Sequence, residues 1–148
     1  MEYLSTLDDK GRISLPARIR GNIDENTLIL TKGINKSIWV FLPAEWEAFS
    51  KRLIDSITLS LSKQLMIQHQ FFAPKAEMEI DKAGRIAIPQ SLRDFACLSR
   101  DCKILEVINH LEIWDSDQYK AYEKANEANL QEVLEEMGPV ALFSGNPR

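Results

Sequence analysis

One stretch of this chain occurs twice. Residues 7–20 read Leu-Asp-Asp-Lys-Gly-Arg-Ile-Ser-Leu-Pro-Ala-Arg-Ile-Arg, and residues 80–93 read Ile-Asp-Lys-Ala-Gly-Arg-Ile-Ala-Ile-Pro-Gln-Ser-Leu-Arg. Six of the fourteen positions are identical, namely Asp8/Asp81, Gly11/Gly84, Arg12/Arg85, Ile13/Ile86, Pro16/Pro89 and Arg20/Arg93, and three more exchange one aliphatic residue for another. Ordinary residue frequencies give roughly one identity by chance. The offset of 73 recurs at Trp46/Tyr119, Phe49/Tyr122 and Lys51/Lys124, while Ile38-Trp39 matches Ile113-Trp114 at an offset of 75. The chain is therefore a duplication with a small length change between its halves. A half of about 50 residues buries too little surface to be comfortable alone, so the two halves are expected to share one core.

Each half carries the same order of local signals. A strand-like run (3–7; 78–80) leads into a turn centred on Gly, and a short strand follows (12–15; 85–88). Pro16 and Pro89 then open a short helical turn, where a missing N–H costs nothing. Two further strands are predicted in each half, 27–31 with 37–42 and 103–108 with 111–114, joined by hairpin-like connections. A helix closes each half. The first begins at Pro43-Ala44 and sets Trp46, Phe49 and Leu53 on one stripe; the second runs to Gly138-Pro139 with Tyr119, Tyr122, Leu130, Val133 and Met137 along it. Residues 56–72 are expected to form a linking helix, and 139–148 a tail. The implied organisation is a first repeat at 1–54, a helical linker at 55–76, a second repeat at 77–124, and an acidic helix end and tail at 125–148.

Charge is distributed unevenly along this plan. The formal net charge is −4, which taken whole argues against a partner as negative as DNA. Residues 115–148, however, hold seven acids and three bases, and the preceding 114 residues hold 15 of each. The body is neutral, and within it Lys10, Arg12, Arg18 and Arg20 crowd into eleven residues with no acid after Asp9. Such a patch suits phosphate neutralisation, and Arg forks match the O6 and N7 edge of guanine. The repeated Asp-x-x-Gly-Arg supplies the turn itself. Gly11 and Gly84 provide positive φ, while Asp8 and Asp81 bond nearby N–H groups and can pair with Arg12 and Arg85.

The two motifs together resemble the bacterial MraZ family. Tyr3 with Thr6-Leu7-Asp8-Asp9-Lys10-Gly11-Arg12-Ile13-Ser14-Leu15-Pro16-Ala17-Arg18 is similar to its first motif, and Ile80-Asp81-Lys82-Ala83-Gly84-Arg85-Ile86-Ala87-Ile88-Pro89 to its second. Phe71-Phe72, Leu92-Arg93-Asp94-Phe95-Ala96 and Glu112-Ile113-Trp114 also fit, so the resemblance spans about residues 3–125. It implies an α+β, mainly β fold of two tandem AbrB-type swapped-hairpin β-barrel halves forming one pseudo-symmetric unit. It also implies a ring-shaped homo-oligomer that binds tandem G-containing repeats in double-stranded promoter DNA. The implied role is transcriptional regulator, mostly repressor, of the cell-division and cell-wall gene cluster, in the cytoplasm and at the nucleoid. The family's turn arginines fall on Arg12 and Arg85, with Asp8, Gly11, Asp81 and Gly84 as motif support. Lys10, Arg18 and Arg20 join them on charge pattern alone.

Other chemistries find little support in the residues. Cys97, Cys102 and His110 lack the spacing of a structural zinc site, so no metal or other cofactor is expected. No Gly-x-Ser-x-Gly or phosphate-loop pattern occurs, and two histidines leave little choice of general base. An enzyme with a small-molecule substrate is not expected. The longest apolar run, residues 38–44, is too short to span a bilayer, so no membrane partner is expected either. The alternative function is a ring-forming protein-interaction scaffold that uses the acidic C-terminal helix.

Overall fold

The computed structural model describes residues 1–55 and 60–138. The expected tail, and the part of the expected linker at 56–59, lie outside those residues. The elements follow the predicted order: β1 (Glu2–Thr6), β2 (Arg12–Ser14), α1 (Ala17–Gly21), β3 (Thr27–Lys32), β4 (Ile38–Phe41), α2 (Pro43–Asp55), α3 (Leu61–Ile67), β5 (Ala76–Glu79), β6 (Arg85–Ala87), α4 (Gln90–Phe95), β7 (Asp101–Glu106), β8 (Leu111–Asp115) and α5 (Ser116–Met137). Pro16 and Pro89 each stand at the N-cap of their short helix with nearly identical backbone angles, φ −57° and −56°.

The halves do not sit side by side; they interleave. The main sheet runs β1-β7-β8-β4-β3-β5, and a separate ribbon pairs β2 with β6. The hairpin β7–β8 of the second half therefore takes the first half's β1 at its edge, and the hairpin β3–β4 takes the second half's β5. The pairings also locate a pseudo-two-fold axis. Ile13 pairs with Ile86 in the ribbon and Ile38 with Ile113 at the sheet centre, and both pairs are residues matched by the duplication. The swapped-hairpin arrangement is thus present, in a mainly β chain with helices. The main sheet is open, however: β1 and β5 are its two ends, so it does not close as a barrel.

One core serves both halves. Period-2 alternation turns Ile13 and Ile86 inward, both fully buried, onto Leu28, Leu30, Ile38, Ile104 and Ile113 of the sheet. A two-stranded ribbon of three residues a side is marginal by itself in water. Burying these two isoleucines contributes roughly 3–6 kcal/mol, enough to hold the ribbon against the sheet. Leu15 with Ile88 and Ile19 with Leu92 extend the same core by the same symmetry.

A second cluster covers the opposite face of β3 and β4. Ile29, Phe41 and Trp46 are buried there, with Trp39, Phe49, Phe71 and Phe72 packed around them. The stripe predicted for α2 thus points into this cluster through Trp46 and Phe49. Among the described residues the linker is helical over Leu61–Ile67 and ends in a π-helical turn, Gln68–Phe72. Thr31 Oγ1 donates to the Phe71 carbonyl at 2.7 Å, and Gln70 Nε2 donates to the Gly33 carbonyl at 2.6 Å. The wider turn brings both phenylalanines onto the aromatic cluster while these two bonds fix its register.

The chain divides into two compact units, Met1–Ser116 and Asp117–Arg148. In the second, α5 stacks Tyr119 on Tyr122 with ring centroids 6.3 Å apart, and leaves Leu130, Val133, Leu134 and Met137 exposed. Among the described residues no helix is long and apolar enough to cross a membrane.

Both cysteines are free thiols, Cys97 exposed and Cys102 buried. Burial, aided by the nearby Asp115 and Asp101 carboxylates, pushes the Cys102 thiol up to about 11. Because the thiolate is the reactive form, an aromatic disulfide reagent at neutral pH will modify Cys97 and spare Cys102 until the chain is unfolded. Cys97→Ser will remove the native reaction altogether; prompt labelling of that variant would show the core to be open.

Candidate nucleic-acid interface

The two Asp-x-x-Gly-Arg turns are built alike, bond for bond. Asp8 Oδ1 accepts the N–H groups of Lys10 and Arg12, both at 2.9 Å, and its Oδ2 accepts Arg12 Nε at 2.9 Å. Asp81 Oδ1 accepts the N–H groups of Ala83 and Arg85, and its Oδ2 accepts Arg85 Nε at 3.0 Å. Gly11 and Gly84 lie at φ +77° and +79°, a conformation a β-carbon resists. In both aspartates the backbone N–H of the turn arginine is the largest cause of a carboxyl held below its ordinary value, with its guanidinium helping. A depressed value means that the ionised turn is intact at neutral pH. Its contribution is lost only as pH falls through that lowered value, below the usual carboxylate range.

The ribbon sets the two arginines on one surface. Arg12 pairs with Ala87 and Ser14 with Arg85, so these four side chains share the ribbon's outer face while Ile13 and Ile86 fill the inner one. Two guanidinium groups thus stand among small residues. Each is about a third exposed and held at Nε by its aspartate. Arg85 Nη1 also lies 3.9 Å from Asp8 Oδ2, across the ribbon. Lys10 and Lys82 are exposed on the flanking turns.

The remaining predicted residues separate. Arg18 does not join the turns. Its Nη1 lies 2.9 Å from Met1 Sδ, at the opposite end of β1 and roughly 20 Å along the strand from Asp8. Arg20 crosses to the other half, where its guanidinium lies against Gly84. Arg93, which the charge pattern passed over, lies against Gly11 in the same way. The signal for it was in the repeat, since Arg20 and Arg93 are matched at the same offset as Gly11 and Gly84. Among the described residues no cluster of three or more His, Cys, Asp or Glu could hold a metal ion.

A duplicated chain with swapped hairpins, one shared core and two aspartate-braced arginine turns on a ribbon defines the class of tandem swapped-hairpin proteins. The family model described as MraZ protein, antitoxin-like, matches residues 2–68 and again 71–138, one match per half. A protein named transcriptional regulator MraZ from Treponema denticola is 40% identical over 141 residues, covering 95% of this chain and 98% of that one. Its namesake from Treponema pallidum is 38% identical over 140 residues, 95% and 94% of the two chains. One from Limosilactobacillus fermentum is 30% identical over 132 residues, 89% and 91%. The chain belongs to the MraZ family, a family of transcriptional regulators and not of enzymes.

Proposed function

We propose that this regulator acts by binding double-stranded promoter DNA in a sequence-specific way, as a repressor of the cell-division and cell-wall gene cluster. The outer face of the β2–β6 ribbon carries this reading. A two-stranded ribbon fits the major groove, and an Arg fork pairs with guanine O6 and N7. Arg12 and Arg85 sit on that face, paired across the ribbon with the small residues Ala87 and Ser14 and braced at Nε by Asp8 and Asp81. Lys10 and Lys82 flank them at phosphate-contact positions, and Arg18 is left as an outlying phosphate contact.

One protomer offers a small basic surface, so tandem G-containing repeats must be met by several protomers at once, in a ring. The hairpin between β7 and β8 supports such assembly. Ile108 at its tip is fully exposed, Val107 beside it is exposed, and they border an apolar groove lined by Ile19, Ile23, Leu28, Val40 and Leu42 with a cavity of about 200 Å³. The equivalent tip in the first half, Ile34-Asn35-Lys36, is more polar. Contacts between unlike surfaces of neighbouring copies are head-to-tail and close into a ring where the rotation between copies permits it. The working location is the cytoplasm, at the nucleoid.

The deciding experiment is a gel shift on the DNA upstream of the gene, with one repeat and with tandem repeats, at two salt concentrations. Tandem repeats will bind more tightly than one, and affinity will fall steeply with salt. Failure to bind that DNA at low salt would defeat the reading in favour of a second one. In the second reading α5 is a protein-docking helix. Its exposed stripe Leu130, Val133, Leu134 and Met137 is flanked by Glu127, Glu132, Glu135 and Glu136, which supports that use.

A further inference from the structure

We infer that Arg20 and Arg93 are crossed positioning residues, each holding the DNA-reading turn of the opposite half in shape. The inference rests on the DNA-reading role proposed above for the turns. A β-carbon on Gly84 would stand 2.5–2.6 Å from the Arg20 guanidinium and its Cδ, and one on Gly11 would stand 2.6 Å from the Arg93 guanidinium. Each glycine is therefore needed twice, once for its positive φ and once for the close approach of an arginine from the other repeat.

The backbone adds a second crossed link at the same two points. The Gly84 carbonyl accepts Leu15 N–H, and the Gly11 carbonyl accepts Ile88 N–H, both at 2.9 Å. Leu15 and Arg20 belong to the first half, Ile88 and Arg93 to the second. Each turn is thus gripped on its glycine by the opposite repeat, through one carbonyl and one guanidinium. The arginines are anchored at their own ends as well. Arg20 Nε donates to the Leu15 carbonyl at 3.1 Å, and Arg93 Nη2 donates to Gln90 Oε1 at 2.8 Å. Arg93 Nε is buried with no hydrogen-bond partner among the described residues, so that guanidinium is committed to packing on Gly11. Arg12 and Arg85 immediately follow the gripped glycines, so a loosened glycine misaims the arginine next to it. A misplaced reading group loses its contact even when it is still present.

Double-mutant cycles on tandem-repeat affinity test the crossing. Arg93→Ala will weaken binding at least about fivefold, as expected for impairing one base-edge contact. That loss will largely vanish in an Arg12→Ala background and persist in an Arg85→Ala background. Arg20→Ala will show the reverse pattern. Coupling within the same half, or full additivity in all four combinations, would overturn the inference. A direct phosphate contact by Arg20 predicts that its removal lowers the salt dependence by about one unit of log–log slope; a positioning role leaves the slope unchanged.

Amide exchange on the free protein judges the grip without any DNA. Arg93→Ala will speed exchange at residues 10–12 and leave 83–85 as they are, and Arg20→Ala will do the opposite. Uniform change, or no change, in either variant would refute the grip. If an alanine variant does not fold, Arg93→Gln and Arg20→Gln retain bulk while losing the fork, and the same crossed pattern applies. Were the unaltered chain to ignore DNA, the reading role would fall, and the exchange pattern would still decide whether the turns are cross-held.

Discussion

Replacing Arg12 and Arg85 together by alanine will abolish specific recognition of the tandem repeats while leaving the chain folded. The size of the loss follows from the chemistry of a guanidinium fork on a base edge. Each good bidentate contact is worth about 1–3 kcal/mol of discrimination, so two per protomer amount to roughly 30-fold to 10⁴-fold in specific affinity. Folding will be spared, because the pairs with Asp8 and Asp81 are partly solvated, and solvated ion pairs contribute little to stability. Both aspartates also keep their backbone N–H donors, which close the turns without the side chains. Lysine at the two positions will not restore recognition, since it offers a point charge in place of a planar fork. Fluorescence anisotropy on labelled tandem repeats, beside a thermal melt, checks both halves of the expectation. A double variant that melts normally and binds as tightly as the parent would remove the ribbon face from the reading site.

Ile108→Asp will dissociate the assembly and, with it, tight binding to tandem repeats. Ile108 is fully exposed, so its replacement removes no packing within the body and should leave the melting temperature close to that of the parent. A carboxylate at an apolar contact between copies must instead be desolvated unpaired, which such contacts do not tolerate. The avidity gained by linking sites is on the order of 10²–10⁴ over a single contact, and that is the expected loss on tandem DNA. Affinity for a single repeat will stay near the parent value. Sedimentation and anisotropy on the two DNAs measure the two effects. An unchanged particle mass would place the contact between copies elsewhere.

Much of this architecture was legible in the duplicated motif. The order of elements, the proline-opened helices, the hairpins and the shared core all followed from the repeat and from apolar spacing. The aspartate-to-arginine bonds followed from turn chemistry. Interleaving came from the family resemblance alone, because β1 pairs with β7 some 100 residues away, and alternation along a strand records which face is buried but not which neighbour buries it. Charge density along the chain misjudged the patch for a related reason. Arg18 and Arg20 are close to Arg12 in sequence, yet one lies at the far end of β1 and the other reaches across to the second half. The linker's loose periodicity has its own cause. It is held by two hydrogen bonds to backbone carbonyls and by adjacent phenylalanines on a π-helical turn, none of which leaves a 3.6-residue apolar period.

The interleaved strand order also sets a timetable for the molecule's birth. Tyr3 is matched with Ile104, and Leu4 with Lys103. A ribosome adding about 5–20 residues per second needs roughly 5–20 s to make the stretch that separates them. Throughout that interval the first strand has been made and its hydrogen-bonding neighbour has not. The first repeat cannot be completed as it emerges, and the nascent chain must wait, unfinished at its own beginning, for the last strands to arrive.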